Sequence, residues 1–145
     1  MEIGKLNKSQ SEILEFWNQF NDILIKKEKP FNVRKATTDH WYDVAMGTSA
    51  AHIAITLVNK ESYIGIELYI NDDKNIFDKL YEKKDLIEDE LGFKLDWQRL
   101  DNRSASRIKY YIQGLDFDDH SNYDSLIDKT IDIAVKMRDV FKKYI

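Results

Sequence analysis

Between His52 and Ile70 the chain alternates twice between aliphatic and other side chains, with only a four-residue break. Ile53, Ile55 and Leu57 fall on one face of an extended segment His52–Val58, and His52, Ala54 and Thr56 on the other. Ile64, Ile66, Leu68 and Ile70 share one face of Tyr63–Ile70, opposite Tyr63, Gly65, Glu67 and Tyr69. A period of two marks a strand that is buried on one side. The loop Asn59–Ser62 is short enough to favour antiparallel pairing. The fold must therefore bury the aliphatic face of this hairpin and leave His52, Glu67 and Tyr69 together on the other.

Helical periodicity flanks the hairpin. Ser9 and Glu12 have capping-box spacing. Ile13, Phe16, Trp17, Phe20, Ile23 and Leu24 follow as one apolar stripe, which predicts a helix over Lys8–Glu28. Lys26, Lys27, Lys29 and Pro30 close it, since cations suit the helix C-terminus and proline stops continuation. Asp72 or Asp73 can cap a second helix, about Lys74 to Leu91, with Ile76, Phe77, Leu80, Ile87 and Leu91 as its stripe and Gly92 as its stop. Ser121 and Asp124 open a third, to about Tyr144, whose apolar residues cover more than one stripe. Trp41–Met46, Lys94–Arg99 and Ser106–Gln113 read as further strands, and Gly47-Thr48-Ser49 as a turn. The order α-β-β-β-α-β-β-α predicts an α+β fold: a single mostly antiparallel sheet of about five strands packed with three helices. With 145 residues, one domain over 1–145 is expected.

Composition removes several classes of function. Cysteine is absent, so no disulfide, thiolate nucleophile or Cys-based metal site exists, as suits a reducing cytoplasm. No apolar run approaches the roughly 20 residues that span a bilayer. The polar start Met1–Lys8 carries no signal-peptide apolar stretch, and a cytoplasmic protein that avoids membranes is expected. With 22 basic and 26 acidic residues the net charge is −4, which disfavours general electrostatic capture of nucleic acid but leaves room for a local basic patch.

Within that frame a few residues invite chemistry. Helix, three strands, helix and strand is the element order of the PD-(D/E)-x-K nuclease core, in which carboxylates on neighbouring strands hold Mg²⁺ or Mn²⁺. Asp43 and Glu67 are the candidates here. The position two after Glu67 is Tyr69 rather than lysine, and Tyr63–Ile70 contains no lysine. The plainer use of Glu67 is an ion pair with Arg107, Lys109 or His52. His52 beside Glu67 could shuttle a proton or simply bond within the sheet; His120 reads as a loop or helix-start residue, and His40 could bond backbone. Ser49, Ser104 and Ser106 lie in no nucleophile elbow, and no Walker or G-x-G-x-x-G loop is present. Basic residues cluster at Lys26, Lys27, Lys29, Arg34 and Lys35 and again at Arg99, Arg103, Arg107 and Lys109. Tyr63, Tyr69 and Tyr111 can share a face with Arg107 and Lys109, as in single-strand binding platforms and protein interfaces. With three helices to one sheet, whether a helix covers that face is left open.

His40-Trp41-Tyr42-Asp43, Gly47 with Ser49, Ile64 to Ile70, Phe77-Asp78 with Leu80, Glu90-Leu91-Gly92, Trp97 and Ser104 to Ile108 stand in an order that resembles domain of unknown function family 4268. The helix carrying Phe16-Trp17 and the one ending near Phe141 fit as well. In many members this domain follows a PD-(D/E)-x-K or restriction-type nuclease domain, so the resemblance implies nuclease-linked or defence-linked work. Together these readings predict a non-catalytic recognition module that binds a protein partner or nucleic acid. Its site would comprise Trp41, Asp43, His52, Glu67, Tyr69, Arg103 and Arg107: aromatic contact from Trp41 and Tyr69, phosphate or carboxylate contact from Arg103 and Arg107, and Glu67 orienting Arg107. The alternatives are a metal-dependent nuclease using Asp43 and Glu67, and a structural subunit that assembles as a homodimer through its C-terminal helix.

Overall fold

The computed structural model describes residues 5–145; the polar start over Met1–Gly4 lies outside the described residues. Four helices and five strands follow in the order α1 (Lys8–Lys26), β1 (Trp41–Ala45), β2 (Ala51–Val58), β3 (Tyr63–Ile70), α2 (Lys74–Glu82), α3 (Lys84–Leu91), β4 (Asp96–Gln98), β5 (Ser106–Gln113) and α4 (Tyr123–Tyr144). The strands form one antiparallel sheet in the order β1-β2-β3-β5-β4. The expected α+β architecture with one five-stranded sheet is present. The count of three helices is not: the second splits at Lys83 into α2 and α3.

The split has a packing reason. Phe77 and Leu80 of α2 are buried beside β3, whereas Ile87 and Leu91 of α3 are buried against α4. A bend at Lys83 lets one amphipathic stripe meet two different surfaces. Gly92 ends α3 with a φ of +84°, a conformation that glycine adopts without a Cβ penalty.

The start of α1 also differs from expectation. The capping box is Asn7 with Gln10, two residues before the expected Ser9 and Glu12. Asn7 Oδ1 accepts from the Gln10 amide at 2.8 Å, and the Asn7 amide donates to Gln10 Oε1 at 3.0 Å. Glu12 is thereby free to turn to His120. Beyond Lys26, Glu28 and Lys29 take positive φ and reverse the chain ahead of Pro30, so α1 stops short of Glu28. The expected strand Lys94–Arg99 shortens to three residues, Asp96–Gln98. At its start the Leu95 amide donates to Glu88 instead of a strand, at 2.8 Å. At its end the ammonium of Lys74 gathers the carbonyls of Arg99, Leu100 and Ala105 and curls the chain away. A short 3-10 turn over His120–Asn122 precedes α4, which begins at Tyr123 rather than Ser121.

One sheet face makes the core. Tyr42 and Val44, Ile53, Ile55 and Leu57, Ile64 to Ile70 in alternation, and Ile108 and Ile112 are all buried there. Phe16, Trp17 and Phe20 of α1 and Ile127, Ile131, Met137 and Phe141 of α4 join them in a single cluster. The apolar breadth of α4 that suggested self-association is largely spent inside the chain. Among the described residues the buried apolar side chains of the helices all belong to this one cluster, and no helix is long and apolar enough to cross a membrane.

Candidate functional site

The open face follows from strand register. Trp41, Thr56, Gly65 and Tyr111 stand side by side in one cross-strand row. Asp43, Ala54, Glu67, Lys109 and Asp96 make the next, and Ala45, His52, Tyr69, Arg107 and Gln98 the third. Small residues occupy the middle, so the larger ones rise as walls around a hollow. Gly65 is required there: a Cβ would lie 2.6 Å from Thr56 Oγ1. The result is a pocket of about 370 Å³ bounded by Trp41, Asp43, His52, Glu67, Tyr69 and Arg107, with Ala54 and Thr56 at its base.

Each wall is held in place. The connection from α1 to β1 is tied down by Tyr42, whose hydroxyl accepts from the Arg34 amide and donates to Asn21, both at 2.7 Å. Arg34 Nε donates to the Asp43 carbonyl at 2.6 Å. These bonds fix the edge strand that presents Trp41, which is 52% exposed, and Asp43. His52 Nε2 lies 3.4 Å from Asp43 Oδ1, and its ring centroid is 5.2 Å from that of Tyr69. The Arg107 guanidinium sits over the Tyr69 ring at 5.5 Å, a cation–π contact.

Glu67 is the anomaly. Its side chain is 3% exposed, and Oε2 has no hydrogen bond. Arg107 Nε is 3.5 Å away, inside ion-pair range, yet it too is buried without a hydrogen bond. Burial pushes the Glu67 carboxyl above the usual range, against the opposing charges of Arg107, Lys109 and His52. The face thus holds a buried acceptor and a buried donor side by side, neither satisfied by the fold.

A larger groove of about 640 Å³ adjoins the pocket and shares Thr56, Glu67 and Arg107 with it. His40, Lys60, Arg107 and Lys109 line it, and its one acidic lining residue is the buried Glu67. Among the described residues Lys60 and Lys109 have no carboxylate within 4 Å. At the far edge Tyr111 donates to Asp96 Oδ2 at 2.6 Å, and Gln98 donates to the same oxygen at 2.8 Å. Burial, and then that bond to Asp96, raise the Tyr111 phenol well above its ordinary value.

Six of the seven residues proposed from sequence therefore border one pocket. Arg103 does not: it lies in the Leu100–Ala105 loop beyond β4, where its amide donates to the Leu100 carbonyl. Proximity to Arg107 in the chain had placed it with the site; the loop pinned by Lys74 carries it elsewhere. Asp43 and Glu67 share a row but stand two strands apart, with Ala54 between them. They are not part of any set of three carboxylate or imidazole ligands within 4.8 Å among the described residues. Lys60 and His40 were not singled out for this face, because only the register of the hairpin and the path of the β1 entry bring them to the groove.

Among the described residues the one cluster with ligand-like spacing is Glu12, Glu15 and His120, on the helical side. His120 Nε2 is 2.9 Å from the Phe117 carbonyl and 2.6 Å from Glu12, while Nδ1 is 3.5 Å from Glu15. A carbonyl only accepts, so Nε2 carries a proton and offers no lone pair to a metal. Burial opposes the charged ring, but the Glu12 bond, the Phe117 carbonyl and the two carboxylates outweigh it and raise the His120 pKa. The cluster reads as a clip between the starts of α1 and α4.

No curated protein and no solved structure matches the chain. The family model of DUF4268, a domain of unknown function, matches residues 14–145. That span takes in all five strands, α2, α3, α4 and most of α1. The open face and its pocket thus lie wholly inside the matched region, and the chain belongs to the DUF4268 family.

Proposed function

We propose that the chain is a recognition module whose open sheet face binds single-stranded nucleic acid. The observation that carries this is the groove charge. In a chain of net charge −4, Lys60, Arg107 and Lys109 converge on one groove whose one acidic lining residue is buried. An anionic ligand is what such a groove complements. The adjoining pocket adds Trp41 and Tyr69 as stacking surfaces, and cations flanking aromatic rings suit a single strand. The nuclease or restriction setting implied by the family resemblance fits a module of this kind.

The test is fluorescence anisotropy with labelled oligonucleotides of about ten nucleotides, titrated at several salt concentrations. With Arg107 paired to Glu67, phosphate contacts from Lys60 and Lys109 give a slope of log K on log salt of about −1.4, at roughly −0.7 per contact on a single strand. The double variant Lys60→Ala/Lys109→Ala is expected to reduce that slope by about 1.4. Trp41→Ala is expected to lose about 1–3 kcal/mol of binding if a base stacks there. Failure to bind any strand at low salt overturns the reading and turns attention to a protein partner or a second copy of the chain. Repeating the incubation with Mg²⁺ or Mn²⁺ and looking for cleavage that Asp43→Ala abolishes tests the nuclease alternative.

A further inference from the structure

We infer that the pocket beside Glu67 receives one unstacked nucleobase and selects bases that carry an exocyclic amino group. This rests on the single-strand reading and adds to it a chemical preference and the residues that set it.

The argument begins with what the fold leaves undone. Glu67 Oε2 is a buried acceptor with no donor, and Arg107 Nε is a buried donor with no acceptor, 3.5 Å apart on the pocket wall. Their mutual charge offsets part of the cost of burial, but neither atom has a hydrogen bond, and that part of the cost stands. A ligand that offers an N–H beside a lone pair would satisfy both at once. Adenine and cytosine present that pair directly, an amino group next to a ring nitrogen. Guanine presents its amino and ring N–H groups to the carboxylate and its carbonyl oxygen to the guanidinium. Thymine and uracil have one ring N–H set between two carbonyl oxygens. Bringing that N–H to Glu67 also brings a carbonyl oxygen on to the carboxylate, which repels it.

The rest of the pocket suits a flat ring. Trp41 stands half exposed at one side, and Tyr69 stands opposite, between His52 and Arg107. Ala54 keeps the base clear, because a larger side chain there would fill the hollow. The basic groove runs on from Glu67 and Arg107 toward Lys60 and Lys109, so a strand entering the pocket has its phosphates led along the cations. A carboxylate reading an amino edge and an arginine reading its acceptor are ordinary base-recognition pairings.

The experiment is a comparison of labelled dC, dA and dT homopolymers of about ten nucleotides at one salt concentration, with wild type, Glu67→Gln and Lys109→Ala. Wild type is expected to bind dC and dA about tenfold more tightly than dT. Glu67→Gln supplies a donor as well as an acceptor, so the three strands should converge while the salt slope stays as in wild type. Lys109→Ala should weaken all three alike and lower the slope. Equal binding of the three strands by wild type, or an unchanged preference in Glu67→Gln, overturns the base pocket while leaving single-strand binding in place. Absence of binding to every strand overturns the underlying reading instead. If Glu67→Gln fails to fold, Trp41→Ala on the exposed edge strand takes its place: it should weaken dC and dA more than dT, and an equal loss for all three overturns the proposal.

Discussion

A carboxylate that is 3% exposed with an unbonded oxygen costs a fold about 1–3 kcal/mol, and more when charged. Glu67 carries that cost at the centre of the sheet, in a row with Asp43, Ala54, Lys109 and Asp96. Its pKa is raised, chiefly by burial, so the folded state binds the proton more tightly than the unfolded one. The sign follows from linkage. Stability is greatest while Glu67 is protonated in both states and falls as pH rises from the unfolded pKa through the higher folded one. Above that window the loss is constant. Glu67→Gln, which removes the charge and keeps the shape, is therefore expected to raise the urea midpoint near neutral pH. The advantage over wild type should shrink on acidification below about pH 4, where the wild-type carboxyl is neutral as well. A variant that is more stable and binds less well would mark Glu67 as kept for its ligand rather than for the fold. An unchanged midpoint at neutral pH would show that Arg107 already compensates the charge. Glu67, Tyr69 and His52 were legible as neighbours from the period of two alone. Burial of Glu67 was not, because its cross-strand neighbours, Ala54 and Lys109, come from two other strands.

Elements were read best where their pattern is local. The aliphatic face of the β2 and β3 hairpin is as the alternation requires, with Ile53, Ile55, Leu57, Ile64, Ile66, Leu68 and Ile70 all buried, although Ala54, Gly65 and Glu67 on the other face are buried too. The helix ends were read less well, because several residues compete for one capping role. Asn7, Ser9, Gln10 and Glu12 could all serve, and the choice of Asn7 and Gln10 is settled by Glu12 being drawn to His120 across 108 positions of chain. Asn7→Ala is accordingly expected to cost about 1 kcal/mol in urea unfolding, within the usual range for a lost N-cap. Ser9→Ala should stay within about 0.5 kcal/mol, as for surface positions without a special contact. A reversal of these two values would restore the cap to Ser9. The break at Lys83 belongs to the same class: the stripe from Ile76 to Leu91 is continuous in sequence, and only the presence of two separate surfaces bends it.

At the scale of the whole molecule the sheet is asymmetric in its support. β3 is paired along its length on both sides, whereas β4 has three residues and one neighbour. Opening β4 and the following loop frees Trp97 from Phe77 and Tyr81 but breaks only three cross-strand positions, and the loop itself is held by Lys74 through backbone carbonyls. Native-state hydrogen exchange should therefore find β3 amides opening only with global unfolding, and β4 amides opening at distinctly lower free energy. Lys74→Met should widen that gap. Equal protection in both strands would mean that β4 and its loop belong to the cooperative core. The site lies on the well-supported side, formed from β1, β2, β3 and β5, as a preorganised pocket requires.

The sequence by itself determined which residues share a face, since pleat geometry assigns alternate side chains without reference to anything distant. It also determined the α+β class, the strand count and, through a set of ordered motifs, the family. Three things waited for the tertiary structure. β5 sits between β3 and β4, although β4 precedes it in the chain, because the α2 and α3 connection carries β4 to the outer edge. The helices pack together on the aliphatic face of the sheet and leave the other open, because α1, α2, α3 and α4 find one another as well as the sheet. The lysines of the groove meet only across strands and loops far apart in sequence. Each is a matter of which distant surfaces meet, and local periodicity carries no record of that.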